Sequence, residues 1–202
     1  MLQRETVEPG TLSLIYSLQS KDYLQQFILV GGTALALQLG HRTSTDIDLF
    51  TNERFDVPDL LTSLQLDYEV EIKHQMRHAL LTGIETIKTD FVFQSSDMID
   101  AVLIEEGVRM ATLKEIAAMK IGAITARGKK RDFVDLYCLL DHFSLEEMLH
   151  AFLQKYKGAT LELAIRSIFY FEDADKDQDP KCFFKYDWRN IKEKIKKEAS
   201  KL

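Results

Sequence analysis

The chain has 202 residues, 46% of them hydrophobic, with only 9 Gly and 3 Pro, which suits one substantial core or a domain with an appendage and excludes disordered and fibrous classes. Lys and Arg number 26 against 32 Asp and Glu, a net charge of -6, so wholesale coating of a polyanion is excluded and only local basic contacts remain. Cys138 and Cys182 come without a CxxC pattern or a histidine at ligand spacing, which excludes a disulfide framework and a zinc site. Met1-Leu2-Gln3-Arg4-Glu5 has no leader pattern, and apolar runs such as Phe27 to Val30 are too short to span a bilayer. A soluble cytoplasmic protein with no membrane partner is expected.

The spacing of Leu12, Ile15, Tyr16 and Leu18 predicts a helix over 9–25, followed by a buried strand at 27–30 that ends in the turn Gly31-Gly32. Thr33 to Leu39 is rich in helix formers and stops at Gly40; Asp46 to Phe50 alternates as a strand. Leu60, Leu61, Leu64 and Leu66 predict a helix after Pro58. Residues 68–73, 79–82 and 84–93 read as a strand meander, and 101–110 as a hairpin turning at Glu105-Glu106-Gly107. From Thr112 the pattern is helical: 112–126, 131–142, 144–156, 160–172 and 187–200. The fold class is α+β, a mixed sheet with flanking helices over 1–111 followed by a C-terminal helical bundle over 112–202. Asp173, Asp175, Asp177 and Asp179 lack the Gly and final Glu of a calcium loop and read as a solvated helix end.

In Asp46-Ile47-Asp48-Leu49 the strand period sets both carboxylates on one face. Like charges so close are costly without a cation, and oxygen ligands on a rigid strand suit Mg²⁺; the plainer alternative is an edge strand with two acids facing solvent. Asp90 adds a third acid, because in Ile87-Lys88-Thr89-Asp90-Phe91-Val92-Phe93 it shares a face with Lys88 opposite Ile87, Phe91 and Phe93. If the two strands are neighbours, Asp46, Asp48 and Asp90 converge, and such a triad can hold two Mg²⁺ ions, or Mn²⁺, across a phosphoryl or nucleotidyl displacement. Gly31, Gly32 and Thr33, between a strand and a helix N-terminus, form a phosphate cradle; glycine is also needed there for backbone geometry alone.

Gly-Gly, thirteen intervening residues and then Asp-Ile-Asp-Leu make GGTALALQLGHRTSTDIDLF resemble the first motif of the polymerase-beta-like nucleotidyltransferase superfamily. Its wording resembles the AbiEii/AbiGii toxin branch, and the resemblance continues through Ile87 to Phe91 and KEIAAMKIGAITARGKKRDFVDLYCLL at 114–140. It implies a nucleotidyltransferase core over 1–111 and Asp46 and Asp48 as ligands of both metals. Asp90 would bind the catalytic ion and orient or deprotonate the attacking hydroxyl. One departure is Gly32, where many members carry a phosphate-binding Ser, which leaves the Thr33 hydroxyl contact open.

Thr112 and Glu115 form a capping-box pattern that sets the register of the following helix, and Lys120 then interrupts its apolar stripe of Leu113, Ile116, Ala117, Ile121 and Ile124. It either snorkels to the surface or reaches an anion, of which a triphosphate is favoured, and the resemblance points to the same residue. Asp132 either complements a helix dipole or, by the resemblance, lies at the last family motif near the active site. Arg42, expected at the rim of a cleft, is a candidate for phosphate or base, while His41 reads as structural or surface. Arg127, Lys129, Lys130 and Arg131 are four cations within five residues, either a solvated helix junction or a seat for an RNA acceptor.

These features imply transfer of a nucleoside monophosphate from an NTP with Mg²⁺ and release of pyrophosphate. By the resemblance the enzyme is the toxin of a toxin-antitoxin or phage-defence pair that acts on RNA such as the tRNA 3′ end, with a winged-helix antitoxin as partner. The alternatives are a small-molecule acceptor of the aminoglycoside kind and a non-catalytic NTP-binding interaction protein, which would have no need of the third acid.

Overall fold

The structure is a computed structural model and describes residues 1–202. The chain divides into two compact units, the first of Met1–Gly40, Ser44–Asp97 and Val102–Ala111, the second of His41–Thr43, Met98–Ala101 and Thr112–Leu202. The short segments 41–43 and 98–101, assigned from sequence to the front half, therefore group with the helical unit.

The first unit holds one mixed sheet. Its elements are α1 (Pro9–Gln19), β1 (Ile28–Val30), α2 (Gly31–Leu39), β2 (Ile47–Thr51), α3 (Val57–Asp67), β3 (Val70–Met76), β4 (Ala79–Ile84), β5 (Ile87–Phe93), β6 (Leu103–Glu105) and β7 (Val108–Met110). The strand order is β3-β4-β5-β2-β1-β7-β6, with β2/β5 and β1/β7 parallel and the other pairs antiparallel. Helix α1 contacts β7, α2 contacts β1 and β2, and α3 contacts β3 and β4. Ile47, Leu49 and Phe91 are buried, and Phe27 packs edge-on against Phe91 with ring centroids 5.5 Å apart. Burial of side chains of this size contributes about 1.5–3 kcal/mol each and fixes which face of β2 and β5 looks away from the core.

Two departures from the sequence reading have local causes. The first helix ends at Gln19 rather than 25, because the Ser20 hydroxyl donates to the Ser17 carbonyl (2.7 Å) and competes with the helical ladder; a 3₁₀ turn, Asp22–Leu24, follows. The β4–β5 hairpin breaks at Glu85 and Thr86, whose φ values of 49° and 71° are unusual for residues with a Cβ, and no Asn-Gly signal marks that turn in the sequence.

The second unit contains α4 (Leu113–Ala126), α5 (Lys130–Leu139), α6 (Leu145–Lys155), α7 (Leu161–Phe169), α8 (Glu172–Lys176) and α9 (Trp188–Ala199). Helix α4 contacts α5, α6 and α7, and α5 contacts α8 and α9. The helix expected over 160–172 is thus broken at Tyr170, whose backbone is extended. Thr112 caps α4 by accepting from the Glu115 N–H (3.2 Å), but the Glu115 carboxylate takes the Ile99 N–H (2.7 Å) and pairs with Lys155, so only half of the expected capping box forms. The reciprocal box belongs to Ser144 and Glu147 at α6.

The aspartate run is not merely solvated. Asp175 accepts from the Trp188 indole (2.6 Å) and Lys192 (2.8 Å), while the Asp177 carboxylate takes the Lys130 N–H and its backbone carbonyl, with Asp179, takes the Lys130 ammonium.

Candidate active site

The parallel pairing of β2 with β5 sets Asp48 directly across from Asp90, with Val30 of β1 on the other side of Asp48. Neighbouring strands run about 4.8 Å apart, and Asp46, which immediately precedes β2, approaches the same Lys88 ammonium as Asp90, so the three acids gather around β2 and β5. Asp90 is buried, and its Oδ1 atom is shielded without a hydrogen-bond partner. An orphaned carboxylate oxygen beside two more carboxylates is the donor chemistry that Mg²⁺ accepts. The side chains do not form a closed cluster of three ligands. Instead the Lys88 ammonium lies among them, 2.6 Å from Asp90 Oδ2 and 3.8 Å from Asp46 Oδ2. Desolvation pulls the Lys88 pKa down, but the hydrogen bond to Asp90 and the fields of Asp48, Asp90 and Asp46 outweigh it and hold the amine above its ordinary value.

The strand-to-helix turn lies against these acids. Gly31 has φ +71°, and a Cβ built there would collide with Asp48 Oδ2, so glycine is required both by the backbone and by the carboxylate. No side chain caps the N-terminus of α2, which leaves its first N–H groups to an anion or solvent. The Thr33 hydroxyl hydrogen-bonds the Asp46 carbonyl and lies 2.9 Å from the Ser44 hydroxyl. In this arrangement it ties the entry of β2 to α2. Gly31→Ala is expected to destabilise the protein by about 1–2 kcal/mol through the left-handed φ alone, with displacement of Asp48 added. A thermal melt checks it, and an unchanged midpoint would show that the turn relaxes freely.

The second unit contains a buried charge network. Asp135, 0% exposed at its side chain, accepts from Arg42 Nε (2.6 Å) and Nη2 (2.8 Å), meets His41 Nε2 (2.8 Å) and pairs with Lys120 Nζ (2.6 Å). Lys120 also donates to Asp132 (3.1 Å), which Arg127 holds through Nε (3.0 Å) and Nη2 (3.2 Å). Burial pushes the Asp132 and Asp135 carboxylates up, but the cations outweigh it and hold Asp132 below and Asp135 well below the usual range. Lys120, 4% exposed, therefore does reach anions from the apolar stripe, and those anions are Asp132 and Asp135. Arg42 is corrected in place: it is buried against Asp135 and the Thr43 carbonyl (2.9 Å) rather than set at an open rim.

Of the basic run, Arg127 is engaged with Asp132, and Lys130 is buried on Asp177 and Asp179, so Lys130 is a structural cation and not a surface contact. Lys129 and Arg131 are exposed. Burial pushes the Cys138 thiol up to about 12 and the Cys182 thiol to about 11, so neither is a thiolate nucleophile at neutral pH. Two residues have no assigned part in the sequence reading: Lys88, placed there only on the Asp90 face, and Asp135. A lysine two positions from a strand acid was the available signal for Lys88.

Comparison with known proteins gives the family and the fold. Residues 13–201 match the family described as nucleotidyl transferase AbiEii toxin, type IV TA system. An uncharacterized protein of Aquifex aeolicus (strain VF5) is 32% identical over 157 residues, 75% of this chain and 76% of that protein. Among solved structures, MenT4, a nucleotidyltransferase toxin of Mycobacterium tuberculosis H37Rv, aligns with a TM-score of 0.64 at 15% identity over 95% of this chain and 83% of its own. A candidate nucleotidyltransferase of H. pylori aligns with a TM-score of 0.57 at 15% identity over 96% and 94%. At such identities the two structures show a shared fold, whereas the family match runs through both the Gly-Gly turn with its acids and the Lys120 to Asp135 segment. The chain belongs to the AbiEii nucleotidyl transferase toxin family and is a nucleotidyltransferase of α+β fold.

Proposed function

We propose that Asp46, Asp48 and Asp90 form a Mg²⁺-dependent centre that moves a nucleoside monophosphate from an NTP to a hydroxyl of an RNA acceptor. The observation that carries it is the β2/β5 register, which pairs Asp48 with Asp90 and leaves a buried Asp90 oxygen unpartnered. The acceptor oxygen bonds to the α-phosphorus, the bond to the bridging α–β oxygen breaks and pyrophosphate leaves. Asp90, through its free oxygen, is suited to take the hydroxyl proton. Mg²⁺, held by the three carboxylates, would supply Lewis-acid stabilisation of the charge that develops on the phosphoryl oxygens. The N–H groups of Gly31, Gly32 and Thr33 offer an anion seat for the triphosphate.

Lys120 and Asp132 remain candidates for nucleotide contact through an ion pair that would have to open. Arg42, tied to Asp135, supports the fold of that segment. The toxin description of the family supports a cognate antitoxin, which we expect to carry a winged-helix DNA-binding domain and to be encoded nearby. Incubation with each of four labelled NTPs, Mg²⁺ and total RNA tests the reading. Label in RNA is the expected result; label in a small polycation instead would give the reaction to the aminoglycoside-like alternative, and label nowhere would favour a binding protein.

In that turn Lys129, which is exposed, is the acceptor contact we propose. Lys129→Ala is expected to flatten the log-log salt dependence of RNA binding by about one unit while NTP affinity stays constant. An unchanged slope across a salt series would return this turn to a plain helix junction.

A further inference from the structure

The acid group already carries a cation of its own, and we propose that Lys88 is its resident counter-ion, an ammonium that holds Asp46, Asp48 and Asp90 together in the metal-free protein and that a divalent cation has to displace. The proposal rests on reading these acids as the metal centre. It adds a residue that sets how readily the free protein takes metal.

The geometry is specific. Lys88 precedes Asp90 by two residues on β5, so strand alternation sends both side chains to the same face, and Nζ sits 2.6 Å from Asp90 Oδ2 and 3.8 Å from Asp46 Oδ2. Three carboxylates on adjacent strands repel one another, and a single ammonium relieves part of that repulsion. It does not saturate them, because Asp90 Oδ1 stays buried and unpartnered.

The lysine is also free to leave. Its side chain is 53% exposed, against 12% for Asp90, and its four-carbon stem lets the charge swing into solvent while the carboxylate stays fixed on the strand. An ammonium on Asp90 Oδ2 and a divalent metal drawn to the same carboxylate group repel each other. Metal entry therefore breaks the Lys88–Asp90 pair, and the displaced ammonium stays tethered on the same face, suited to the anionic phosphates that accompany the metal.

The test uses the full chain stripped of metal, with Lys88→Met to remove the charge at similar length, Lys88→Arg to keep it, and Asp48→Asn to mark the site. Mn²⁺ affinity is read from the free-ion electron paramagnetic resonance signal, and thermal midpoints are taken in EDTA and with added Mn²⁺. Lys88→Met is expected to bind Mn²⁺ about five- to tenfold more tightly, the scale of one partly exposed ion pair lost from competition. It should also melt lower than the parent in EDTA, with the gap closing as Mn²⁺ is added, while Lys88→Arg tracks the parent. Equal or weaker Mn²⁺ binding by Lys88→Met, with Asp48→Asn lacking the site, overturns the counter-ion role and leaves the metal centre standing. Mn²⁺ binding by Asp48→Asn equal to that of the parent shows that the acids do not hold metal, and then both readings fall.

Discussion

Asp48→Asn and Asp90→Asn are each expected to reduce nucleotidyl transfer by about a thousandfold or more, the rate equivalent of about 4 kcal/mol of lost charge stabilisation, without unfolding the protein. The two residues are cross-strand partners on the face of the sheet opposite the buried Ile47, Leu49 and Phe91, so neither fills the core. Asparagine keeps the size and removes the negative charge that a divalent cation needs. The stability cost is small because the ion pair that Asp90 loses, to a half-exposed Lys88, belongs to a class worth at most about 1 kcal/mol, and relief of repulsion within the acid group offsets part of it. Transfer from labelled NTP, together with a thermal melt, checks both halves. Near-normal turnover by either variant at saturating Mg²⁺ would remove that residue from the centre, and loss of the folded state would make it structural.

How these acids could be found in advance depends on what is local. Alternation in Asp46-Ile47-Asp48-Leu49 and in Ile87 to Phe93 shows which side chains share a face, because a strand's period is a property of consecutive residues. That β5 would lie parallel to β2 is a non-local fact, reached only after α3 and the β3–β4 hairpin have been threaded between them. The same limit explains Lys120 and Lys130. Helical periodicity placed Lys120 in an apolar stripe, but its partner Asp135 is shared with Arg42, 93 residues away, and Lys130 finds Asp179 across 49 residues. Clusters of like charge therefore read as solvated in sequence although members such as Arg127, Lys130 and Asp175 have opposite charges elsewhere in the chain. Thr33 is the converse case: its hydroxyl, a candidate phosphate contact from the motif, is engaged by the Asp46 carbonyl of the strand it helps to position.

Asp135→Ala is expected to cost about 3–5 kcal/mol of stability, the largest effect on folding of any variant considered, because removal of one partner from a buried ion network leaves the others charged and unpaired. Asp135 answers Arg42 twice, Lys120 once and His41 once, and its side chain is wholly buried. Asp132 can still receive Lys120, but the Arg42 guanidinium, 4% exposed, would keep only the Thr43 carbonyl among these bonds. The expected drop in the thermal midpoint is large, whereas the same substitution at Asp141, an exposed partner of Lys194, should fall within about 1 kcal/mol of the parent. The network also predicts the acid limit of the fold. Burial raises the Asp135 carboxylate, but Arg42 and Lys120 overcome this and hold it well below its ordinary value, so folding favours the ionised form. A depressed folded-state pKa gives stability that is fully present above the unfolded value, about 3.9, and is lost as the pH falls from there through the folded value. Stability of the parent should therefore decline steeply below about pH 4, with Asp132, also depressed, adding to the slope. Asp135→Asn removes the titrating group and should show a lower plateau at neutral pH with a shallower acid decline. Parallel pH–stability curves for parent and Asp135→Asn, measured by denaturant unfolding between pH 3 and 7, would show that this network does not govern acid stability.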